Sequence, residues 1–292
     1  MQTLNIIGAG KAGSALGLVL AGSGVQVRSI LSRSSASSER LAGLLGQGHV
    51  VDEIADLEPA NLTMIATGDD ALAAVASSLA ESAPFQGDRS VVFHVSGAVS
   101  SAVLAPLSGR GAAVASIHPV QTFSSPKADA SRFAGTWCGI EGDEAARAVL
   151  RPVFERAGAR CFDVSSEGKG LYHAAAVIAS NYLFALIEAS FRCYEAAGLD
   201  RKLAAEVVRP ILHATVDNAL DLGPAQALSG PIARGDHGTI EKHLAALQSV
   251  APPVPELYRV MGALALELSA EKGGAATEDL ARIKELLASR KA

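Results

Sequence analysis

The chain has few cysteines, no excess of positive charge and no long uninterrupted apolar run. Its three cysteines, Cys138, Cys161 and Cys193, show no CxxC or other paired spacing, which argues against a disulfide framework or a thiolate metal site and suits a reducing, cytoplasmic compartment. A net charge of -5 gives no electrostatic footprint for nucleic acid. The longest apolar stretch, residues 174–187, falls short of the ~20 residues that a membrane helix needs, so we expect a buried helix and no membrane partner.

The beginning of the chain also lacks the basic start and cleavage site of a secretory signal, because glycines interrupt its first apolar run after a few residues. We interpret this run as part of the fold. With 292 residues, 49% of them hydrophobic and 19% charged, the composition indicates a globular protein that is long enough for two domains, each with its own core.

The N-terminal segment predicts a strand, a glycine turn and a helix. Residues 4–7 form a short, mostly apolar run, a GAGKAG motif follows, and an apolar-periodic stretch comes next. In a dinucleotide-binding βαβ unit, Gly8 permits the tight turn, Gly10 lets the backbone approach a pyrophosphate and Gly13 lets the helix pack closely on the strand. The N–H groups of the helix N-terminus then face the phosphates. The expected cofactor contacts are Gly8, Ala9, Gly10, Lys11, Ala12, Gly13 and, at the end of a later strand, Thr67.

The end of the second predicted strand, residues 25–31, indicates which dinucleotide binds. NAD-specific sites usually have an acid there, whereas this chain has Ser32, Arg33 and Ser34, with no acid before Glu39. Arg33 and the neighbouring hydroxyls suit a 2'-phosphate, which a carboxylate would repel. We therefore expect NADP(H). In the alternative interpretation, Arg33 is a solvated loop cation and the serines cap the next helix.

Strand-like runs alternate with helical patterns up to residue 164, and from Lys169 onward the sequence is helical. This order predicts an α/β fold with an N-terminal Rossmann domain at 1–165, built on a doubly wound parallel sheet, and an all-helical domain at 166–292. Ligands of open α/β sheets bind at the carboxyl ends of the strands, so we expect a substrate cleft between that edge and the helical domain. The predicted strands are 4–7, 25–31, 62–67, 90–95, 112–117, 136–140 and 160–164.

Two of these strands run out into polar residues. Ser96, in the segment HVSG, either contacts substrate or caps a helix that begins near Ser100. His118 is held extended by Pro119 and either transfers a proton near neutral pH or is a structural side chain of the loop. Gln121 is a weaker candidate for contact with substrate or cofactor.

A single long helix is predicted over 169–197 and carries a third group of candidates. His173, Val177 and Asn181 share one face of this helix, so His173 and Asn181 are polar groups among small apolar residues. They either contact substrate or hydrogen-bond within the core. We expect His118 and His173 to lie on different domains, and either one is a candidate proton donor.

A glycine-rich loop at 229–239 carries a cation and an anion before the next helix. Arg234 is expected to clamp a substrate carboxylate with Asp236 beside it; alternatively, the two pair with each other as a structural staple. His237 and His243 do not share a helical face, and we expect no metal site.

With these residues in view, the chain resembles a bacterial family described as Rossmann-like with a C-terminal domain of unknown function. The motifs that carry the resemblance cover almost the whole chain: GAGKAG, HVSG, SIHPVQTF, YHAAAVIASNYL and GPIARGDHGTIEKH. The family is similar to the 6-phosphogluconate dehydrogenase-like superfamily, which includes β-hydroxyacid and prephenate dehydrogenases, ketopantoate reductases and pyrroline-5-carboxylate reductases.

The resemblance implies roles for some candidate residues, but one position departs from the pattern of the relatives. Asn181 matches the asparagine of β-hydroxyacid dehydrogenases, but Val177 stands where those enzymes have a catalytic lysine, and His173 is the expected substitute. Ser96 and His118 look like the strand-end serine and histidine of prephenate dehydrogenases.

The expected function is NADPH-dependent reduction of a small carbonyl acid, with a ketopantoate-like 2-keto acid as the leading candidate. The alternatives are imine reduction, oxidation of a cyclic alcohol as in prephenate dehydrogenases, or an NADP(H)-binding sensor without catalysis, which the missing lysine at Val177 favours. The alanine- and leucine-rich helical region predicts a homodimer through that domain, as in the relatives.

Overall fold

The computed structural model describes residues 1–82 and 90–289. The chain divides into two compact units, Met1–Ala179 and Ser180–Ala292. The division follows residue 179, whereas the sequence pattern placed it after residue 165. The difference arises because the first helix after the sheet packs onto the sheet through the side chains of Lys169 and Tyr172.

The first unit contains a mixed sheet with strand order β3-β2-β1-β4-β5-β6-β7-β8 in the described residues. Strands β1 to β6 are parallel, and β8 is parallel to β7. The strands are β1 (Thr3–Ile7), β2 (Gln26–Leu31), β3 (His49–Val51), β4 (Leu62–Ile65), β5 (Val91–His94), β6 (Ala113–Pro119), β7 (Trp137–Gly142) and β8 (Arg160–Asp163).

The expectation of an entirely parallel sheet is wrong at β7, which is antiparallel to β6. The link between these strands returns at the same edge of the sheet, where the amide of Val120 donates to the carbonyl of Trp137 at 2.8 Å. A parallel neighbour would need a crossover over the sheet instead. Strand β3 was not predicted, because it has only three residues and begins with exposed His49.

Helices cover both faces of this sheet, so the central strands are apolar on both sides. Neighbouring residues such as Ile6 and Ile7 belong to different core clusters, one on each face. The helices of this unit are α1 (Lys11–Gly22), α2 (Ser35–Leu45), α3 (Leu72–Glu81), α4 (Ala105–Ser108), α5 (Pro126–Ser131), α6 (Glu144–Arg156) and α7 (Lys169–Ala179), with 3-10 turns at Ile54–Asp56, Asp69–Ala71 and Ser101–Leu104.

The second unit is helical throughout its described residues. A cluster of Ile240, Leu244, Ile283 and Leu287 forms its core. Its helices are α8 (Asn181–Ala196), α9 (Arg201–Leu222), α10 (Pro224–Ala227), α11 (His237–Ala246), α12 (Val254–Lys272) and α13 (Thr277–Ala288), with 3-10 turns at Ile232–Arg234 and Leu247–Ser249.

The helix predicted over 169–197 is two helices, α7 and α8, which are separated at Ser180, where φ is −117° and ψ −65°. The expectation that this region is buried is also wrong within the chain: Leu171 is 82% and Phe184 69% exposed. Among the described residues, one segment, Lys169–Ala196, is long and apolar enough to cross a membrane on length and composition alone. This segment is longer than the apolar stretch of residues 174–187 on which the sequence-based expectation depended.

Candidate active site

Two positions in the turn after β1 require glycine, each for a different physical reason. Gly8 has φ +108°, and a Cβ there would lie 2.6 Å from the Ala66 carbonyl carbon. A Cβ on Gly13 would overlap the carbonyl oxygen of Gly8, so helix α1 can pack against the turn only with glycine at this position. These are the constraints that the dinucleotide-binding motif predicts.

Gly10 differs from the other two, because a Cβ at this position would meet no atom within 4 Å. It is exposed and forms the N-cap of α1, and no side chain caps the helix there. The first-turn N–H groups of α1 are therefore available to an anion such as a pyrophosphate.

Thr67 follows the end of β4 and lies beside this turn. A Cβ on Gly8 would be 2.9 Å from the Thr67 backbone nitrogen. The Thr67 hydroxyl is buried and has no hydrogen-bond partner among the described residues. A buried polar group without a partner is uncommon, and a bound ligand is one way to satisfy it.

The predicted 2'-phosphate site follows β2. Arg33 is exposed, and its side chain makes no hydrogen bond or ion pair with any described residue. Ser34 is the N-cap of α2, but its hydroxyl accepts no capping hydrogen bond, and Ser32 is half-buried. These groups remain available to a phosphate, so the capping role proposed for Ser34 in the alternative interpretation is absent.

A row of polar side chains, called here the polar stripe, lies on one face of the same sheet. In β6, Ala115 and Ile117 join the hydrophobic core, whereas the alternating Ser116 and His118 point to the opposite face. Ser116 pairs in register with Glu141 of β7. Helix α7 contacts this face of the sheet through Lys169 and Tyr172.

Lys169 lies over this stripe and is only 2% exposed. Its ammonium donates to the Ser96 carbonyl at 2.9 Å and to the Ser116 hydroxyl, and it lies 3.7 Å from a carboxylate oxygen of Glu141. Glu141, 4% exposed, also accepts from the amide of Ser101 at 2.6 Å. The charges of this buried pair are therefore compensated by each other and by hydrogen bonds.

His118 follows Ser116 on the same face of β6. It lies beside Tyr172 and His173, which are one turn after Lys169 on α7. Its Nδ1 is 2.9 Å from the hydroxyl of Tyr172, and its ring centroid is 5.5 Å from that of His173. A Cβ on Gly97 would lie 2.8 Å from Nε2 of His118 and would overlap Nδ1 of His173. In the part of the chain that the structure describes, this Nδ1 has no hydrogen-bond partner. A Cβ on Gly139 would likewise lie 2.9 Å from the Tyr172 hydroxyl. Two glycines therefore make room for this aromatic cluster.

Burial controls the charges in the cluster. Desolvation, with smaller contributions from His173 and Lys169, lowers the pKa of His118 to about 4. Desolvation also lowers the pKa of Lys169 to about 8, against the opposing effect of Glu141. At neutral pH the imidazole of His118 is therefore uncharged and the ammonium of Lys169 is mostly protonated.

Comparisons with known proteins assign the two parts of the chain. Residues 2–119 match the family described as a Rossmann-like domain, and residues 136–265 match the domain of unknown function DUF2520. The chain is a Rossmann-like protein with a DUF2520 domain. The resemblance drawn from its motifs is thereby confirmed. A comparison with curated proteins finds no match.

Solved structures share the fold. Protein TM1727 from Thermotoga maritima is 27% identical, with a TM-score of 0.72 over 92% of this chain and 99% of that chain. Protein BF3122 from Bacteroides fragilis, described as an NADP oxidoreductase, is 23% identical, with a TM-score of 0.75 over 91% and 98% of the two chains. A reductive aminase from Aspergillus terreus, solved with NADPH and ethyl-5-oxohexanoate, is 18% identical, with a TM-score of 0.68 over 96% and 98%.

The candidate site combines residues from both families within one compact unit. The Rossmann-like region supplies Ser116 and His118, and the DUF2520 region supplies Glu141, Lys169 and Tyr172. His118 lies in the Rossmann-like region and His173 in the DUF2520 region, as expected, although α7, which carries His173, belongs to the first compact unit.

Two predicted residues use their polar atoms within the protein. The hydroxyl of Ser96 accepts from the amides of Ala98 and Val99 at 3.2 and 3.0 Å, which favours its role as a turn cap. The amide of Gln121 donates to the Asp129 carbonyl at 3.0 Å and accepts from Thr136 at 3.1 Å. Their assignment to substrate remains a prediction.

The remaining predicted residues lie in the second unit. Asn181 is exposed at the start of α8, and the break at Ser180 interrupts the helical face that it was expected to share with His173. Asp236 caps α11, accepting from the amide and hydroxyl of Thr239 at 3.0 and 2.7 Å. Arg234 is exposed and forms no ion pair with Asp236 among the described residues, so the proposed staple is absent.

Sequence reasoning did not identify Lys169, Glu141 or Tyr172. A signal was present in the strands, because Glu141 interrupts an otherwise apolar strand and a buried charge there requires a partner. The spacing of Lys169, Tyr172 and His173 also places them on one face of a helix.

Proposed function

We propose that this protein is an NADP(H)-dependent oxidoreductase that reduces a small carbonyl or imine compound. The observation that carries this proposal is the presence, at the carboxyl ends of parallel strands in one unit, of both a dinucleotide-type glycine turn and the polar cluster around His118. Between β1 and β6 lie two strands, a separation of about 14 Å at ~4.8 Å per strand. An extended dinucleotide whose pyrophosphate binds at the glycine turn would lie along the carboxyl ends of these strands.

The residues fit such a cofactor. The open N-terminus of α1 at Gly10 and the unpartnered hydroxyl of Thr67 suit the pyrophosphate, and Arg33 with Ser32 and Ser34 suits a 2'-phosphate. Bound NADPH supplies a hydride. The remaining chemistry, which is to polarise the substrate and deliver a proton, falls to the side chains of the cluster.

His118 is the residue that we assign to polarise the substrate. We assign the Tyr172 hydroxyl as the donor to Nδ1, which lies 2.9 Å away. The neutral imidazole then carries its proton on Nε2 and can donate a hydrogen bond to a carbonyl oxygen or an imine nitrogen. Because its pKa is held at about 4, His118 is a poor source of an imidazolium proton at neutrality. His173 or a bound water then supplies the proton that the product retains.

A 2-keto acid of the ketopantoate kind remains our leading substrate, with cyclic imines as the second class, since neutral His118 can hydrogen-bond either acceptor. We retain Asn181, Arg234 and Asp236 as candidate substrate contacts.

We further propose a cytoplasmic homodimer through the helices from α7 onward. Large apolar side chains are exposed on these helices: Ile178, Tyr182, Phe184, Ile211, Leu220, Leu222 and Val260 are each more than half exposed. Exposed apolar side chains of this kind mark interaction sites, and a second copy of this chain is their simplest occupant.

The test is NADPH consumption, followed by its near-ultraviolet absorbance, with panels of 2-keto acids and of cyclic imines. We expect turnover with a member of one panel, and a large loss of turnover in His118→Asn with NADPH binding retained. Binding of NADPH without consumption in either panel would favour the non-catalytic sensor.

A further inference from the structure

The buried pair of Lys169 and Glu141 has no part in the chemistry assigned above. Lys169 is 2% and Glu141 4% exposed, so neither is placed to contact a substrate directly. Ion pairs of this kind are a poor means of stabilisation, because desolvation offsets much of their attraction, and well-packed apolar residues often do as well. The groups that contact Lys169 and Glu141 therefore indicate what the pair does besides stabilising the fold.

The pair joins four segments of the first unit: α7, the loop after β5, β6 and β7. The ammonium of Lys169, from α7, holds the carbonyl of Ser96 in the loop after β5 and the hydroxyl of Ser116 in β6. The Glu141 carboxylate, from β7, accepts from the hydroxyls of Ser101 and Ser166 at 2.8 and 2.7 Å. Lys169 therefore fixes the loop whose Gly97 abuts the rings of His118 and His173.

The charge of Lys169 also acts on two histidines of neighbouring strands. It lowers the pKa of both His94 and His118, in each case adding to the effect of burial. Asp69, exposed after β4, opposes it at both rings.

The other polar groups around His118 come from β7 and α7. Glu141 opposes Lys169 at His94. His173 adds to the effect of Lys169 at His118, and the Tyr172 hydroxyl contacts Nδ1 of His118. Lys169 is thus the buried cation of the cluster among the described residues.

We propose that Lys169 is a positioning residue for the proposed reaction: it holds the HVSG loop against β6 and places a positive charge near the imidazole of His118, where it opposes protonation of the ring. Glu141 fixes the ammonium in place. The role of Lys169 in the reaction rests on the proposed function. Its effect on the protonation of His118 is a property of the protein without any ligand. A neutral imidazole whose Nδ1 accepts from Tyr172 presents an N–H at Nε2 at pH values above its pKa of about 4.

The proposal is tested by following the imidazole resonances of the ligand-free protein by NMR as the pH is lowered, with His118 assigned by its absence in His118→Asn. The informative variant is Lys169→Met combined with Glu141→Gln, which removes both buried charges and leaves no uncompensated ion. We expect the protonation midpoint of His118 to rise by about one unit in this variant. Glu141→Gln alone, which retains the cation, is the matched control and is expected not to raise it.

An unchanged His118 midpoint in a folded double variant would overturn the proposal and leave Lys169 as a structural staple. Should this double variant not fold, Lys169→Gln combined with Glu141→Gln, which keeps hydrogen-bond donors near Ser96 and Ser116 and again removes both charges, allows the same measurement with the same criteria. With an active substrate, the acid limb of kcat should move to higher pH in the charge-free variant. A shifted imidazole in a protein that turns over no compound would instead remove the proposed function and leave the electrostatic assignment standing.

Discussion

The hydroxyl of Tyr172 lies 2.9 Å from Nδ1 of His118, and their rings meet edge to face with centroids 5.5 Å apart. This contact joins α7 to β6 and leaves Nε2 of His118 toward Gly97 in the loop after β5. The histidine is therefore oriented by a partner from a distant part of the chain, and its free nitrogen is the one available for chemistry.

The two histidines are expected to differ in kinetic signature. His118→Asn should lower kcat by about 100-fold or more, because the group that polarises the substrate is lost. His173→Asn should mainly raise KM if it positions substrate, and lower kcat if it delivers the proton. Steady-state kinetics across pH distinguish these cases. If kcat stays within a few-fold of wild type in both variants, neither histidine participates, and a water or Ser96 must deliver the proton.

Arg33 is expected to set the preference for NADPH over NADH. A ligand that binds only the folded state stabilises it by RT ln(1 + [L]/Kd), about 2.7 kcal/mol at one hundred times Kd. NADPH should therefore raise the melting temperature more than NADH at equal concentration, and Arg33→Ala should remove the difference. Arg282→Ala, an exposed arginine of the second unit, serves as the control. Equal shifts with both cofactors in the wild type would contradict the assignment.

The glycines of the turn are expected to separate binding from stability. Gly10→Ala places a methyl group in open space, so the free energy of unfolding should change by about 0.5 kcal/mol or less. NADPH binding should nevertheless weaken about tenfold, because the methyl group keeps the pyrophosphate from the helix N-terminus. Gly13→Ala should instead destabilise the fold by about 1–3 kcal/mol. Thermal unfolding and fluorescence titration measure the two effects; unchanged affinity in Gly10→Ala would place the pyrophosphate elsewhere.

Mild acid is expected to destabilise the protein through His94. This ring is fully buried, and burial followed by the charge of Lys169 lowers its pKa from 6.5 to about 4. Between these values the unfolded chain binds more protons than the folded one, so the free energy of unfolding falls as the pH drops, by about 3 kcal/mol through His94. His118, whose pKa is lowered in the same direction, adds to the slope. Urea unfolding from pH 7 to pH 4 should show this slope, and it should be shallower in His94→Asn. His49→Asn, at an exposed side chain, is the control and should retain the wild-type slope.

The exposed helical surface is expected to bury itself in a dimer. Light scattering at micromolar concentration should give about twice the 29.8 kDa of one chain. Phe184→Glu introduces a charge where the side chain is 69% exposed, and should shift the protein to the single-chain mass without unfolding it. Glu278→Lys, on polar α13, is the matched control. A mass of 29.8 kDa for the wild type would exclude the dimer under these conditions.

Much of the fold could be predicted from local pattern. The strands from β1 to β8 were anticipated except for β3, and the glycine turn was placed correctly because Gly8 and Gly13 obey steric rules that act over a few residues. The direction of β7 was not predicted, since it depends on how the link after His118 closes at the sheet edge. The break at Ser180 was also missed, because no proline or glycine marks it.

The sequence by itself determined the Rossmann-like fold, the glycine turn and the candidate histidines, because each depends on residue type and short spacing. Only the tertiary structure decided which of these groups meet and in what charge state. Lys169 and Glu141 are 28 residues apart in number, yet they form one buried pair over Ser116. The pKa of His118 is likewise set by desolvation and by charges from other segments, and both exist only once the sheet and α7 have packed together.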